Sequence, residues 1–207
     1  MTAVRKTPPA EGRRFESEMR TLRSQLQTLL ESRKPTLLAV TACNFGEGAG
    51  TVARGLCRSL ALDGVKVLYC GRWDGGLRTP FSSETPNASE RSIIRSSIPT
   101  LCYTDISDLH GADVRVSAPI VFRDWLETVK HHFDVIVTET PPILNRPAAG
   151  PLMPIQDGVL LVMEAEQTRA SVLKTTITAI EVAGGHILGI VFNRRKKYIP
   201  EVFYRWV

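Results

Sequence analysis

The sequence predicts an α/β domain of P-loop type, three layers deep, with a mostly parallel sheet between helices. Two observations carry this. Short, predominantly apolar runs at 37–42, 65–70, 135–137, 157–163 and 186–193 alternate with amphipathic helical repeats, and a glycine-rich turn joins the first run to the helix after it. Continuous apolar strands belong to sheets buried on both faces, and strand-helix alternation builds parallel ones. At 207 residues and 43% hydrophobic, the chain has material for one core, so one domain is expected over 14–207.

Residues 1–13, with Pro8, Pro9 and Gly12, read as a flexible leader with nothing to pack. From Phe15, the spacing of Met19, Leu22, Leu26, Leu29 and Leu30 predicts an amphipathic helix that Pro35 terminates, with Arg20 and Arg23 on its polar face. Leu37 to Ala42 form the first strand. Gly46, Gly48 and Gly50 then fall at every second position, where a missing Cβ lets backbone N–H groups turn around an anion. Val52, Ala53, Leu56, Leu60 and Ala61 recur at helical spacing, which places that loop at a helix N-terminus.

This is the geometry of a P-loop without its chemistry. A phosphate loop G-x-x-x-x-G-K-[ST] needs a lysine on the phosphates and a hydroxyl on magnesium. Aligning on Gly48 puts Ala49 at the lysine and Gly50 at the hydroxyl, leaves Thr51 one residue late, and no lysine stands between Lys34 and Lys66. A strand-turn-helix kept for folding, with no nucleotide, is the stronger reading. The dinucleotide fingerprint fits no better, because Thr51 falls on its third glycine.

Asp63-Gly64 turns into a second strand ending at Cys70, followed by Gly71, Arg72 and Trp73 where acidic residues would serve a metal. The stretch 75–97 is rich in Gly, Ser, Pro and Arg and reads as a surface excursion with at most one short helix near Ser89–Ser97. A short strand is expected at Leu101–Thr104 and a helix from Pro119 to Val129. The strand at Val135–Val137 delivers Glu139-Thr140-Pro141-Pro142 to the carboxyl edge, where open α/β sheets hold ligands. A carboxylate there orders magnesium or water in an active site, and is a solvent-facing remnant in a dead one. A strand over 157–163, a helix over Ala170–Ala183 and a last strand ending in Asn193 complete the sheet.

No apolar run approaches the roughly 18 residues a membrane span requires, and the start lacks a signal-peptide core, so a cytoplasmic protein is expected. The four cysteines form no C-x-x-C pair and the four histidines are scattered, which argues against zinc and disulfides. The net charge of +5 sits at the ends, with Arg194, Arg195, Lys196 and Lys197 forming a block near the finish. Such clusters bind an anionic membrane surface, an acidic partner or nucleic acid, or are solvated tails.

In order and spacing, RTLRSQL, the GEG loop, FDVIVTETPP, DGVLLVM and ILGIVFNRR resemble the cytoplasmic domain of bacterial tyrosine kinases, the BY-kinases of polysaccharide export. The wider P-loop group containing MinD and ParA shares several of these motifs. The resemblance implies a domain working beside a membrane polysaccharide co-polymerase that controls chain length in capsule, exopolysaccharide or lipopolysaccharide synthesis. It also implies that Gly46, Glu47, Gly48, Ala49, Gly50 and Thr51 are a vestigial nucleotide loop without its lysine and magnesium hydroxyl. Gly71 and Trp73 replace two aspartates, Glu139 stands for the aspartate before T-P-P, and Asn193 matches a residue that contacts adenine. The family's E-x-x-R-x-x-R assembly pattern survives as Ser17, Arg20 and Arg23, and its tyrosine tail keeps Tyr198 and Tyr204, either acceptors for another kinase or packing anchors. The expectation is a catalytically inactive scaffold with no cofactor and no metal. It works peripherally at the inner membrane through Arg20, Arg23 and Arg194–Lys197, with a co-polymerase, the membrane surface or its own copies as partners, and no nucleic acid. The alternative is an active kinase or a MinD- or ParA-like ATPase that uses ATP and magnesium through a rearranged loop, with charge from Arg54, Arg72 or a partner's arginine. Arg54, more than a turn into the helix, is expected to point away.

Overall fold

The computed structural model describes residues 9–32, 34–72, 79–80, 93–106 and 118–195. Helix α1 spans Pro9–Ser32, strand β1 Thr36–Ala42, helix α2 Ala49–Leu62 and strand β2 Val67–Cys70. Two short strands follow, β3 at Thr79–Pro80 and β4 at Ile94–Arg95, then β5 at Leu101–Thr104 and helix α3 at Ala118–Val129. Strand β6 covers Val135–Glu139, β7 Gly158–Glu164, helix α4 Ala170–Val182 and β8 Ile187–Asn193. The eight strands among the described residues form one sheet in the order β3-β4-β5-β2-β6-β1-β7-β8. From β5 to β8 every pairing is parallel, whereas β3 and β4 pair antiparallel at one edge.

The continuous apolar strands are explained by what covers each face. On one side Leu38, Val40, Val67, Tyr69, Val135 and Val137 pack beneath Val52, Leu56 and Leu60 of α2. On the other, Leu68 and Ile136 meet Phe122 and Leu126 of α3, while Ala39, Val159 and Leu161 meet Ile180 of α4. Alternate residues of one strand thus enter opposite cores, and a fully buried aliphatic contributes about 1.5–3 kcal/mol.

Helix α1 packs outside α2, burying Met19 and Leu26. Gly55 makes this seam possible, because a Cβ there would lie 2.6 Å from the Phe15 ring. Arg23 pairs with Asp63 and donates to the Ser59 carbonyl at 3.4 Å, so it serves the chain's own helix contact, while Arg20 stays exposed.

Two expectations are corrected. The helix begins at Pro9, so residues 9–13 are helical where a leader was expected, consistent with proline's tolerance of the first helical turn. Residues 1–8 lie outside the described residues. Near Ser89–Ser97 the described part holds β4 in place of a helix, in keeping with the strand preference of Ile93-Ile94.

Candidate functional site

The parallel strands end on one edge, and there β1 runs into the glycine loop, β2 into Gly71-Arg72 and β6 into Thr140-Pro141-Pro142. Together they line a cavity of 490 Å³ that also takes in Arg54 and Arg194.

The loop is held from within by Glu47, which is 5% exposed. One carboxylate oxygen accepts from the Cys43 and Asn44 N–H groups at 3.0 and 3.1 Å; the other accepts from Asn44 Nδ2 at 2.8 Å and the Thr168 hydroxyl at 2.6 Å. Asn193 Nδ2 donates to the Glu47 carbonyl at 2.7 Å, which ties the end of β8 to the loop. Gly48 takes a φ of 95°, and a Cβ there would overlap the Asn193 amide. Burial, then the Glu47 charge, pushes the Cys43 thiol up to about 11. Gly48 offers α2 no side-chain cap, and the first N–H groups of a helix have no partner within it, so Ala49, Gly50 and Thr51 bring backbone donors to the cavity wall.

The metal side of the loop is built differently. A Cβ on Gly50 would lie 2.6 and 2.9 Å from the two carboxylate oxygens of Glu139. The same carboxylate accepts the Tyr69 hydroxyl in a short hydrogen bond. A Cβ on Gly71 would in turn lie 2.5 Å from the Tyr69 oxygen and 3.0 Å from Glu139 Cβ. The space beside these two glycines is therefore taken by a carboxylate and a phenol of the chain itself. Burial first, then the Glu139 charge and its hydrogen bond, drives the Tyr69 phenol far above its ordinary value, so it remains a protonated donor.

A magnesium ion collects several oxygen ligands at about 2.1 Å. Gly50 and Gly71 supply none, Glu139 is engaged by Tyr69, and no cluster of three His, Cys, Asp or Glu side chains able to hold a metal occurs among the described residues. The residues present do not fit the ion.

Arg54 corrects an expectation: its guanidinium turns back to donate to the Arg72 carbonyl at 3.1 Å and lines the cavity. Its length reaches across the turn that was expected to separate it from the loop. Arg194 lines the cavity too and pairs with Glu164 at 2.8 Å, while Arg195 is exposed. Lys196, Lys197, Tyr198 and Tyr204, like Trp73, lie outside the described residues. Tyr69 and Thr168 were not anticipated as site residues. The available signal was a tyrosine in an otherwise apolar buried strand, whose hydroxyl requires a partner.

No protein-family model matches the chain. It is similar to the tyrosine-protein kinase CpsD of Streptococcus agalactiae, with 24% identity over 200 residues covering 89% of this chain and 85% of that one. It is also similar to the tyrosine-protein kinase YwqD of Bacillus subtilis, with 26% identity over 196 residues covering 86% and 81%. Among solved structures, the chimerical protein CapA2B2 superposes with a TM-score of 0.69 at 22% identity, covering 93% of this chain and 87% of that one. The kinase domain of the Escherichia coli tyrosine kinase ETK gives 0.67 at 20%, covering 89% and 79%.

Proposed function

We propose that this chain, a homologue of the bacterial tyrosine-protein kinases, is a catalytically silent form of their domain that serves as a scaffold or regulator. Its partner would be a membrane polysaccharide co-polymerase in exopolysaccharide, capsule or lipopolysaccharide synthesis. The observation that carries the silence is the Gly50–Glu139–Tyr69 arrangement beside Ala49. Phosphoryl transfer depends on positive charge clamped around the transferring group, and removing one such element costs orders of magnitude in rate. Without the lysine and the metal oxygens that clamp is gone, while the fold that positions it remains. No described helix is long and apolar enough to cross a membrane, which suits a partner-mediated attachment on the cytoplasmic side. The exposed Arg20 and the basic run from Arg195 supply charge for that contact, for an anionic lipid surface, or for a second copy.

The test is turnover. Purified protein given ATP and magnesium shows neither hydrolysis nor tyrosine phosphorylation above a no-protein control, and it binds the cytoplasmic segments of the co-polymerase without nucleotide. Hydrolysis that Glu139→Gln abolishes overturns the reading. The alternative, an active kinase or a MinD- or ParA-like ATPase, is favoured by one observation, the presence of Arg54 and Arg72 in the cavity lining, and the same assay decides it.

A further inference from the structure

Of the sheet's two outer strands, one is blunted and the other is open. Strand β3 is two residues long and contains Pro80, devices that keep an edge from recruiting another chain. Strand β8 pairs only with β7 among the described residues, and nothing from Ile187 to Asn193 is charged or a proline. The Asn193 carbonyl accepts from the Ala165 N–H on the β7 side, and peptide groups alternate in direction along a strand. Val191 and Gly189 therefore also face β7, whereas Ile190 and Phe192 turn their N–H and C=O groups to the free edge. A register shift opposite Val159 and Leu160 makes Leu188 the extra residue, which leaves 189–193 as the regular stretch. The side chains there are as open as the backbone. Phe192 is 61% exposed, and a Cβ on Gly189 would meet nothing within 4 Å.

We propose that this edge docks a second copy of the chain, the two β8 strands pairing antiparallel about a two-fold axis at Val191. The free backbone groups select that register. Ile190 of each copy exchanges both hydrogen bonds with Phe192 of the other, so the two symmetric pairs use every outward N–H and C=O of the regular stretch. The side chains agree with it. Ile190 packs on the α4 side and Phe192 shares that face, so the pairing sets a β-branched residue opposite an aromatic one and covers Phe192. On the α2 side Val191 meets its own copy at the axis, and Gly189 lies opposite Asn193. No charge within the stretch opposes contact, and Arg194 is balanced by Glu164. Beyond it, antiparallel pairing carries the exposed Arg195 toward the start of the second copy's β8, which follows the carboxyl end of α4 and its exposed Glu181. The carbonyl end of a helix attracts cations, so the two ends of the seam are complementary in charge. A two-fold contact of this kind closes on itself and yields dimers rather than fibres. The surface is separate from the Arg20 helix and from the cavity, and it does not depend on whether the cavity turns over ATP.

Sedimentation of the full chain across a concentration series, with hydrogen exchange at its two ends, tests this. The wild type passes from monomer to dimer as concentration rises, and the Ile190 and Phe192 amides gain protection together with the dimer. Phe192→Lys and Phe192→Pro each weaken association about tenfold or more, because the axis counts every lost contact twice. Phe192 is exposed and its N–H faces outward, so both variants keep the wild-type monomer Tm. Oxidative cross-linking fixes the register without relying on those variants. Val191→Cys forms a disulfide dimer across the axis, whereas Ile187→Cys, placed opposite Arg195, does not; the four native cysteines are buried and give no background. A monomer at every concentration overturns the inference, and protected Ile190 and Phe192 amides in that monomer identify the chain's own C-terminal segment as the cover. An assembly that persists in both Phe192 variants, or Ile187→Cys cross-linking as readily as Val191→Cys, overturns it too.

Discussion

Glu139 is one methylene longer than aspartate, and that methylene carries its carboxylate over Gly50 and against Tyr69. The three positions are coupled physically, so a double-mutant cycle should detect it. Gly50→Ser alone crowds the carboxylate and lowers stability, and adding Glu139→Asp withdraws the carboxylate and recovers part of the loss. The expected interaction energy is about 0.5–3 kcal/mol, measured by denaturant unfolding. Tyr69→Phe removes the donor and costs about 1–2 kcal/mol. It also changes the alkaline limb. Because the folded phenol is raised above its unfolded value of 10.0, the unfolded chain releases that proton first. Stability tied to the protonated phenol is intact below about pH 10 and falls as pH rises beyond it, so the wild-type Tm drops more steeply there than that of Tyr69→Phe. Residue identity made the missing lysine and hydroxyl readable in the sequence. The Tyr69–Glu139 contact was not, because it joins side chains 70 positions apart on neighbouring strands.

At the scale of elements, periodicity carried most of the information. Strands β1, β2, β5, β6 and β7 lie where their apolar runs placed them, because each is buried on two faces, and the half-buried edge strand β8 also lies where its run placed it. Strands β3 and β4 are two residues each and show no period, which is why 75–97 read as a surface excursion with at most one short helix near Ser89–Ser97. Helix α1 was readable from its leucine spacing, but its true start was not, since Pro9 resembles a loop residue as readily as a first helical one. The seam between α1 and α2 gives an element-level prediction. Leu26, 6% exposed, faces the core, and Leu26→Ala should cost about 2–5 kcal/mol by thermal or urea unfolding. A helix packed only by surface contacts would lose far less. The glycine loop carries a second. Glu47→Ala removes the acceptor for four donors and should lower stability by about 2–4 kcal/mol, with faster hydrogen exchange at Cys43 and Asn44.

For the whole molecule, strand-helix alternation was enough to give the class and the parallel direction of the central strands, whereas the order β6-β1-β7 is set by the tertiary fold. The topology gathers the carboxyl ends of β1, β2 and β6 at one cavity, so residues distant in sequence become one site. What alternation cannot show is which side chains enter that cavity. Arg54 entering the cavity and Glu139 filling the place beside Gly50 are both outcomes of side-chain length and packing. The fold resembles that of the kinase domains it superposes on, and the Glu139 carboxylate and Tyr69 hydroxyl stand beside Gly50 and Gly71 at its cavity.

The most direct test is magnesium-dependent ATP turnover of the wild-type chain beside Glu139→Gln, assayed for released phosphate and for phosphotyrosine. A catalytically silent site leaves the two proteins indistinguishable and at background. Turnover by the wild type that Glu139→Gln removes would contradict it.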